Sequence, residues 1–197
     1  AYGIVRFELK GTAQVVALQP GGRARWTPRD YAALARESFV QNAVAHRAVK
    51  MIAENVGGCI FLAYEGERAL DRHPLVDLLK QPNPRQDGAT FLESVAAHLL
   101  LAGNAYIEAV ALEAEGRAQG RADVRELYAL RPDRMKLVPG ADGWPEAYEY
   151  TVAGRSVRFD QGAALPPILH LTNFHPLDDH YGLSPLEAAA VAVDTHN

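Results

Sequence analysis

The spacing of apolar residues changes at Gly103, from a helical repeat before this residue to an alternating repeat after it. Before Gly103, apolar residues in the longest segments recur every three or four positions, which is the spacing of an amphipathic helix. Across residues 104–172, short alternating segments are separated by polar or glycine-containing turns, which is typical of strands. This order predicts an α+β fold in which helices precede a β-rich unit.

The first long helix is predicted to follow Ser38, which we expect to cap it, and to end at Gly57-Gly58. A shorter helix, capped by Thr27, is predicted to precede it. The positions that we expect to form the buried face of the long helix are Val40, Val44, Ala48, Met51, Ile52 and Val56.

The second long helix is predicted to begin near Thr90 and to end at Gly103-Asn104, where glycine permits the positive φ of a helix C-cap. His98 lies on the apolar face of this helix. A lone histidine in such a place is more often a core residue with a hydrogen-bonding partner than a ligand, and we predict that role for His98. A short strand is expected in the apolar, β-prone run of residues 59–64, and a short helix over Pro74–Lys80.

Motif content excludes several classes of protein. Cys59 is the only cysteine, so one chain has neither a disulfide framework nor a cysteine-based zinc site. The sequence contains no G-x-x-x-x-G-K-S/T, no G-x-G-x-x-G and no H-E-x-x-H, so nucleotide-phosphate and metalloprotease sites of those types are excluded. The longest apolar run, residues 95–102, is interrupted by His98 and is too short to cross a bilayer. We therefore expect no cofactor and no membrane contact.

The net charge of −4 is unevenly distributed along the chain. Residues 1–50 contain eight Lys and Arg against three Asp and Glu, so a basic arm precedes an acidic body. The arm is either ordinary solvated charge or a segment that contacts an acidic neighbour or nucleic acid. No basic stripe interleaved with aromatic residues follows it, unlike in typical nucleic-acid-binding domains.

A histidine- and aspartate-rich loop precedes the last predicted helix. Its four potential metal ligands are His175, Asp178, Asp179 and His180. These residue types can bind a metal, but a site needs three or four donors that converge on one point. The adjacent side chains of Asp178 and Asp179 cannot both point inward if the segment is extended. Metal binding therefore remains an alternative.

The residues that follow this loop fit the start of a helix better than a catalytic site. Ser184 is placed to cap the helix, Pro185 to occupy its first position and Glu187 to reach back toward the cap, after a turn at Gly182. Ser184 lies in GLSPL, which lacks the second glycine of a nucleophile elbow. The sequence predicts a polar loop that leads into a helix, and no catalytic residue.

Five stretches then occur in order: HPLVDLLKQPNP, FLESVAAHLLLAGNAYIEAV, ELYALRPDRMKLV, AYEYTVAGRSVRFD and ILHLTNFHPLDDHYGLSPLEAAAVAV. In that order and spacing they resemble the portal proteins of tailed phages, the head-to-tail connectors. The resemblance extends from about residue 38 to the end of the chain. The motif positions, expected to be structural and not contact residues, are Pro82, Asn83, Pro84, Gly103, Asn104, Arg131, Pro132, Gly182, Ser184 and Pro185.

The resemblance implies a structural protein of the virion and not an enzyme. Portal subunits form a homo-oligomeric ring, typically a dodecamer, at one capsid vertex beside the major capsid protein. Double-stranded DNA passes through the central channel without sequence specificity during packaging and ejection. A separate terminase and head-to-tail adaptor proteins dock on the ring, which is assembled in the bacterial cytoplasm. Portal-like genes also occur in phage-derived gene transfer agents.

The resemblance also suggests four parts. We expect an extended basic arm over residues 1–26, a helical wing-like part over 27–103, a β-rich part of clip or wing type over 104–172, and a loop with the start of a stem helix over 173–197. Portal chains continue well beyond this helix, so the chain is expected to be incomplete relative to the family. Two other functions stay open: a metal-assisted hydrolase that uses the histidine- and aspartate-rich loop, and a virion adaptor module.

Overall fold

A computed structural model of the chain describes residues 31–112, 123–163 and 165–189. The predicted basic arm, the Thr27 cap and residues 190–197 of the predicted stem helix lie outside these ranges. The helices are α1 (Tyr31–Leu34), α2 (Ala43–Gly57), α3 (Pro74–Lys80), α4 (Gly88–Ala102) and α5 (Pro185–Ala188), with a π-helical turn at Ala35–Val40 and a 3-10 turn at Pro132–Arg134. The strands are β1 (Ala63–Glu65), β2 (Arg68–Leu70), β3 (Asn104–Leu112), β4 (Asp123–Leu130), β5 (Met135–Pro139), β6 (Pro145–Val152), β7 (Arg155–Asp160) and β8 (Ile168–Thr172).

The strands form a small hairpin and two three-stranded antiparallel sheets, with strand orders β4-β3-β8 and β5-β6-β7. The two larger sheets pack against each other, α4 covers the other side of the β4-β3-β8 sheet, and α2 packs on α4. The molecule is thus mixed helix and sheet, and the predicted α+β class is confirmed. No helix within the described ranges has the length and apolar character needed to span a bilayer.

Strand β3 contributes to both apolar cores because its side chains alternate between two faces. On one face, Tyr106 packs with residues of both sheets, including Tyr148 and Ile168. On the other face, Ala105 packs with Phe91 and with a second α4 residue, Val95. The side chains of Tyr106 and Phe91 are each only 1% exposed. The segment directly after Gly103 therefore holds the helical part and the β-rich part together.

Helix α2 packs on α4 through small residues, and the predicted buried face is wrong. The residues of α2 that are buried are Ala45, Val49, Ala53 and Gly57. Gly57 permits the close approach, since a Cβ there would lie 2.7 Å from the carbonyl oxygen of Ala89. The large residues of the predicted face remain in solvent, with exposed fractions of 74% for Val40, 60% for Val44, 48% for Met51, 45% for Ile52 and 37% for Val56, and Ala48 is exposed as well.

Two further sequence predictions need correction. Asn42, and not Ser38, caps α2, because its Oδ1 accepts hydrogen bonds from the backbone N–H groups of Val44 and Ala45 while Ser38 lies within the π-helical turn. The apolar run that begins at Cys59 was expected to form one strand. Only its last residues belong to β1, which pairs with β2 in a three-residue hairpin ladder.

Candidate functional site at the helix junction

The last turn of α4 and the loop before α5 meet through two glycines. Gly103 has a φ of +71° and caps α4, as predicted, with its N–H donating to the carbonyl of Leu99. A Cβ on Gly103 would lie 2.2 Å from the carbonyl oxygen of Gly182, and a Cβ on Gly182 would lie 2.0 Å from the carbonyl oxygen of Gly103. Both positions therefore need glycine, because backbone atoms occupy the space of a side chain.

Asn104 connects the same two segments by hydrogen bonds. Its Oδ1 accepts from the backbone N–H of Gly182 at 2.9 Å and also lies 3.0 Å from Nε2 of His170. Its Nδ2 donates to the carbonyl of Ala102 at 2.8 Å. Asn104 is only 7% exposed, so these bonds satisfy the polar atoms of a buried amide.

His170 continues this network from β8 into the second sheet. Since the amide oxygen of Asn104 can only accept, the Nε2 atom of His170 bears the proton. Nδ1 is then the acceptor for the hydroxyl of Tyr148 at 3.2 Å. The ring also stacks on Tyr106, with centroids 4.2 Å apart. Burial and the nearby imidazole of His180 lower the pKa of His170 to about 4, so the ring is neutral at physiological pH.

Two more side chains attach the loop and α5 to the end of α4. The Nδ2 atom of Asn173 donates to the carbonyl of Leu99 at 2.9 Å, and its backbone N–H donates to Gly103 at 2.8 Å. The hydroxyl of Ser184 donates to the carbonyl of Leu100 at 2.9 Å and accepts from the N–H groups of the first turn of α5. Ser184 is 1% exposed and caps α5, as predicted.

These residues form one unit, which we call the helix junction: Gly103, Asn104, His170, Asn173, Gly182 and Ser184. Within the described ranges, no buried side-chain nitrogen or oxygen lacks a hydrogen-bonding partner. The junction is neutral, closely packed and fully hydrogen-bonded, which suits a rigid mechanical connection better than acid-base or nucleophilic chemistry. It fixes the direction in which α5 leaves the body of the protein.

The histidine- and aspartate-rich loop does not bring its four polar side chains together as ligands. Oδ1 of Asp178 accepts from the backbone N–H groups of His180 and Tyr181 at 2.8 and 2.9 Å, and these bonds lower the pKa of its carboxyl group. Nδ1 of His175 accepts from the N–H of Leu177. In the part of the chain that the structure describes, no three His, Cys, Asp or Glu side chains are grouped to hold a metal. The loop's polar groups shape the loop itself.

The motif positions outside the junction lie at two other places. Buried Asn83, in the loop with Pro82 and Pro84, donates from Nδ2 to the carbonyl of Leu127 at 2.9 Å, and the N–H of Leu127 donates to Pro82 at 2.7 Å. This loop therefore binds the outer edge of β4. Arg131 and Pro132 form the turn between β4 and β5, where the Arg131 guanidinium makes two hydrogen bonds to Asp133, at 3.0 and 2.7 Å.

His98 has the structural role predicted for it. Its Nδ1 lies 3.2 Å from the hydroxyl of Tyr31, so the histidine connects α4 to α1. Burial is the main cause that lowers the pKa of His98 to about 4. Sequence reasoning found this histidine because it lies on an apolar helical face. It missed His170 and Asn173, although the polar His170 at an alternating position of the apolar strand ILHLT was a usable signal.

The two histidines predict that acid destabilises the protein. Their pKa values in the folded chain lie below the ordinary value of 6.5, so below pH 6.5 the unfolded chain binds protons that the folded chain does not. The free energy of unfolding should be insensitive to these groups above pH 6.5 and should fall between pH 6.5 and about 4. We expect His98→Gln to remove up to about 1 kcal/mol per pH unit of that slope.

The measurement is urea unfolding at several pH values. His170→Gln should also reduce the slope, whereas His46→Gln, which removes an exposed imidazole from α2, is the matched control. An unchanged slope between pH 6.5 and 4 in the variant lacking both His98 and His170 would show that neither ring is held neutral by the fold.

Comparison with known proteins identifies relatives for this arrangement. A family model described as phage portal protein matches residues 43–197. A chain in the neck of an empty gene transfer agent particle, determined with C6 symmetry, is 48% identical with a TM-score of 0.75, covering 90% of this chain and 46% of that chain. A chain in the neck of the native particle, determined with C12 symmetry, is 47% identical with a TM-score of 0.73, covering 90% and 45%.

Two curated relatives also match most of this chain and less than half of their own length. A protein of Rickettsia bellii (strain RML369-C) is 33% identical over 167 residues, which is 81% of this chain and 40% of the relative. A protein of Rickettsia felis (strain ATCC VR-1525 / URRWXCal2) is 34% identical over 165 residues, with the same coverage. The chain thus spans less than half the length of the relatives that it matches.

Proposed function

The chain belongs to the phage portal protein family, and from this membership we propose that it is a subunit of a ring of twelve copies at a unique vertex of a phage-like particle. The observation that supports the proposal most directly is the similarity to neck chains of gene transfer agent particles at 47% and 48% identity, over 90% of this chain. Identity at this level argues for a shared role as well as a shared fold. The role is structural, and the proposal includes no catalytic activity.

The proposed ring encloses a channel for DNA packaging and ejection, through which double-stranded DNA moves without sequence specificity. Ion pairs among the described residues support a channel through which DNA slides without being bound tightly, because many Lys and Arg side chains are already paired with carboxylates. These pairs are Arg47–Glu54, Lys50–Glu54, Lys50–Glu93, Arg68–Glu65, Arg125–Asp123, Arg131–Asp133, Arg158–Glu146 and Arg158–Asp160. Each free cation that neutralised a phosphate would add salt-dependent affinity and would resist sliding.

The parts of the chain have proposed places in the ring. Residues 27–103 belong to the wing, residues 104–172 include the β-rich part that faces terminase and the head-to-tail adaptor, and residues 173–197 lead into the stem. The helix junction supports this division, since it attaches the start of the final helix to both α4 and β3. In this arrangement the junction holds the stem at a fixed angle to the wing in every subunit.

Electron microscopy of the purified full chain tests the proposed function. We expect closed rings with an open centre, in most particles with twelvefold symmetry as in the native neck. Mass photometry of the same sample should give a mass near twelve subunits. A monomer at all concentrations tested would contradict the ring and would favour the adaptor module instead.

A further inference from the structure

Helix α2 has an apolar surface wider than the part that α4 covers. Its small residues face α4, as described above, and its larger apolar residues lie on an adjoining strip of the helix. This strip, which we call the α2 outer face, consists of Val44, Ala48, Met51, Ile52 and Val56, all exposed. These positions are three or four residues apart, so they form a continuous band along the helix.

The charged residues of α2 do not interrupt this band. Lys50 pairs with Glu93 of α4 and with Glu54 of its own helix, and Arg47 also pairs with Glu54. These ion pairs lie along the flank of α2 opposite to the outer face, as the helical spacing of positions 47, 50 and 54 requires. The outer face therefore carries no charge, and its one polar residue, Asn55, donates from Nδ2 to the backbone carbonyl of Met51 at 2.7 Å.

The band continues into a groove at the helix junction. A cavity of about 440 Å³ lies between α2, α4 and the start of α5, and its wall includes Ile52, Val56, Leu99, Leu100 and Ala188. Large contiguous apolar surfaces on soluble proteins usually mark sites of association. Among the described elements, α2 packs mainly against α4 and the π-helical turn at Ala35–Val40, so a partner could reach its outer face without displacing a described helix or strand.

We propose that the α2 outer face packs against a neighbouring copy of this chain in the ring. The inference rests on the proposed function and adds the surface that the ring contact uses. In a cyclic ring, each subunit buries two different surfaces against its two neighbours, so an exposed apolar surface of the isolated subunit is a candidate for one of these contacts. The necks determined with C6 and C12 symmetry, which contain chains of this fold, support a second copy as the occupant.

Charge placed on the outer face tests the contact. Val44 and Met51 are 60% and 48% exposed, so Val44→Glu with Met51→Glu should leave the folded subunit intact. Burying two carboxylates without partners at an interface is strongly unfavourable, and we expect the protein concentration at half-assembly to rise at least about tenfold. The matched control is Ala43→Glu, which adds a carboxylate at an exposed position on the opposite flank of α2.

The readouts are mass photometry for assembly and circular dichroism melting for the fold. If the double variant melts like the parent but forms rings at the same concentration, the α2 outer face is not the contact, although the ring itself stands. If the parent protein forms no ring, the proposed function fails first. Loss of rings with Ala43→Glu as well would show that a new carboxylate on either flank of α2 prevents assembly. That result would also overturn the proposal.

Cross-linking identifies what covers the face. A benzophenone maleimide is attached at Met51→Cys in a Cys59→Ser background, which leaves one thiol because Cys59 is the only natural cysteine. Ultraviolet irradiation of assembled rings should give adducts of two or more subunits on a denaturing gel. Adducts within a single subunit would show that another segment of the same polypeptide covers α2, and absence of any adduct would show that the face stays in solvent. Either result overturns the proposal.

Discussion

Gly182→Ala should destabilise the protein by about 3 kcal/mol, although it adds only one methyl group. The new Cβ would lie 2.0 Å from the carbonyl oxygen of Gly103, 2.6 Å from the backbone nitrogen of Asn173 and 2.8 Å from its carbonyl oxygen. All three contacts are with backbone, which cannot rotate away as a side chain would. The loop must therefore move, and its movement stretches the hydrogen bond from Gly182 to Asn104.

Thermal unfolding of the purified chain measures this effect. For a chain of this length, the expected loss corresponds to a fall of roughly 6–12 °C in Tm. Gly162→Ala is the matched control, because a Cβ on Gly162 has nothing within 4 Å and its backbone has no positive φ. Equal Tm values for the two variants would show that the contact between the two glycine-containing segments is looser than described.

Phe91→Ala should lower the free energy of unfolding by about 3–5 kcal/mol. Phe91 is 1% exposed and lies between α4 and the β4-β3-β8 sheet, where it packs with Val95 and Ala105. Truncation leaves a cavity between the helical part and the β-rich part. Because total stability is commonly 5–15 kcal/mol, this one substitution is expected to remove a large share of it.

Chemical denaturation at a concentration where the chain is monomeric measures the loss. Phe174→Ala is the matched control, since it removes the same atoms from a side chain that is 86% exposed. We expect the control to change the free energy of unfolding by less than about 0.5 kcal/mol. A comparable loss for both phenylalanines would contradict the position of Phe91 in the core.

Three of the confirmed predictions rest on signals that lie within a single element or turn. The helix end at Gly103 was confirmed because a glycine cap with positive φ depends only on the last turn of its own helix. The cap at Ser184 was confirmed for the same reason, since the cap is made by the first turn of its own helix. The strands after Asn104 were confirmed because alternation and hairpin turns are also local.

The sequence failed where the outcome depended on which of two surfaces another element covers. Helix α2 has a band of small residues and a band of large apolar residues, and hydrophobicity alone favoured the large ones. The structure buries the small band, including Ala53 at 1% exposure, because close approach to α4 requires little side chain. The position of α4 relative to α2 is a tertiary fact, and the periodicity of a single helix does not contain it.

The helix junction shows the same division between local and distant contacts. The sequence analysis identified four of its residues as motif positions but did not predict that they contact each other. These residues are Gly103, Asn104, Gly182 and Ser184. The hydrogen bond between Asn104 and Gly182 joins residues 78 positions apart, and the contact between Ser184 and Leu100 joins residues 84 apart. Nothing in the spacing of either segment predicts that they meet.

The close contact of Gly103 with Gly182 has a geometric consequence for any rod that is attached there. A helix rises about 1.5 Å per residue, so a rod of about 20 residues has a length of about 30 Å, and a tilt of about 10° at its base displaces its tip by about 5 Å. In a closed ring that displacement would recur in every subunit and would change the bore of the central opening. At this contact the backbones of the two segments touch directly, with no rotatable side chain between them. Such a contact keeps variation in the tilt angle small.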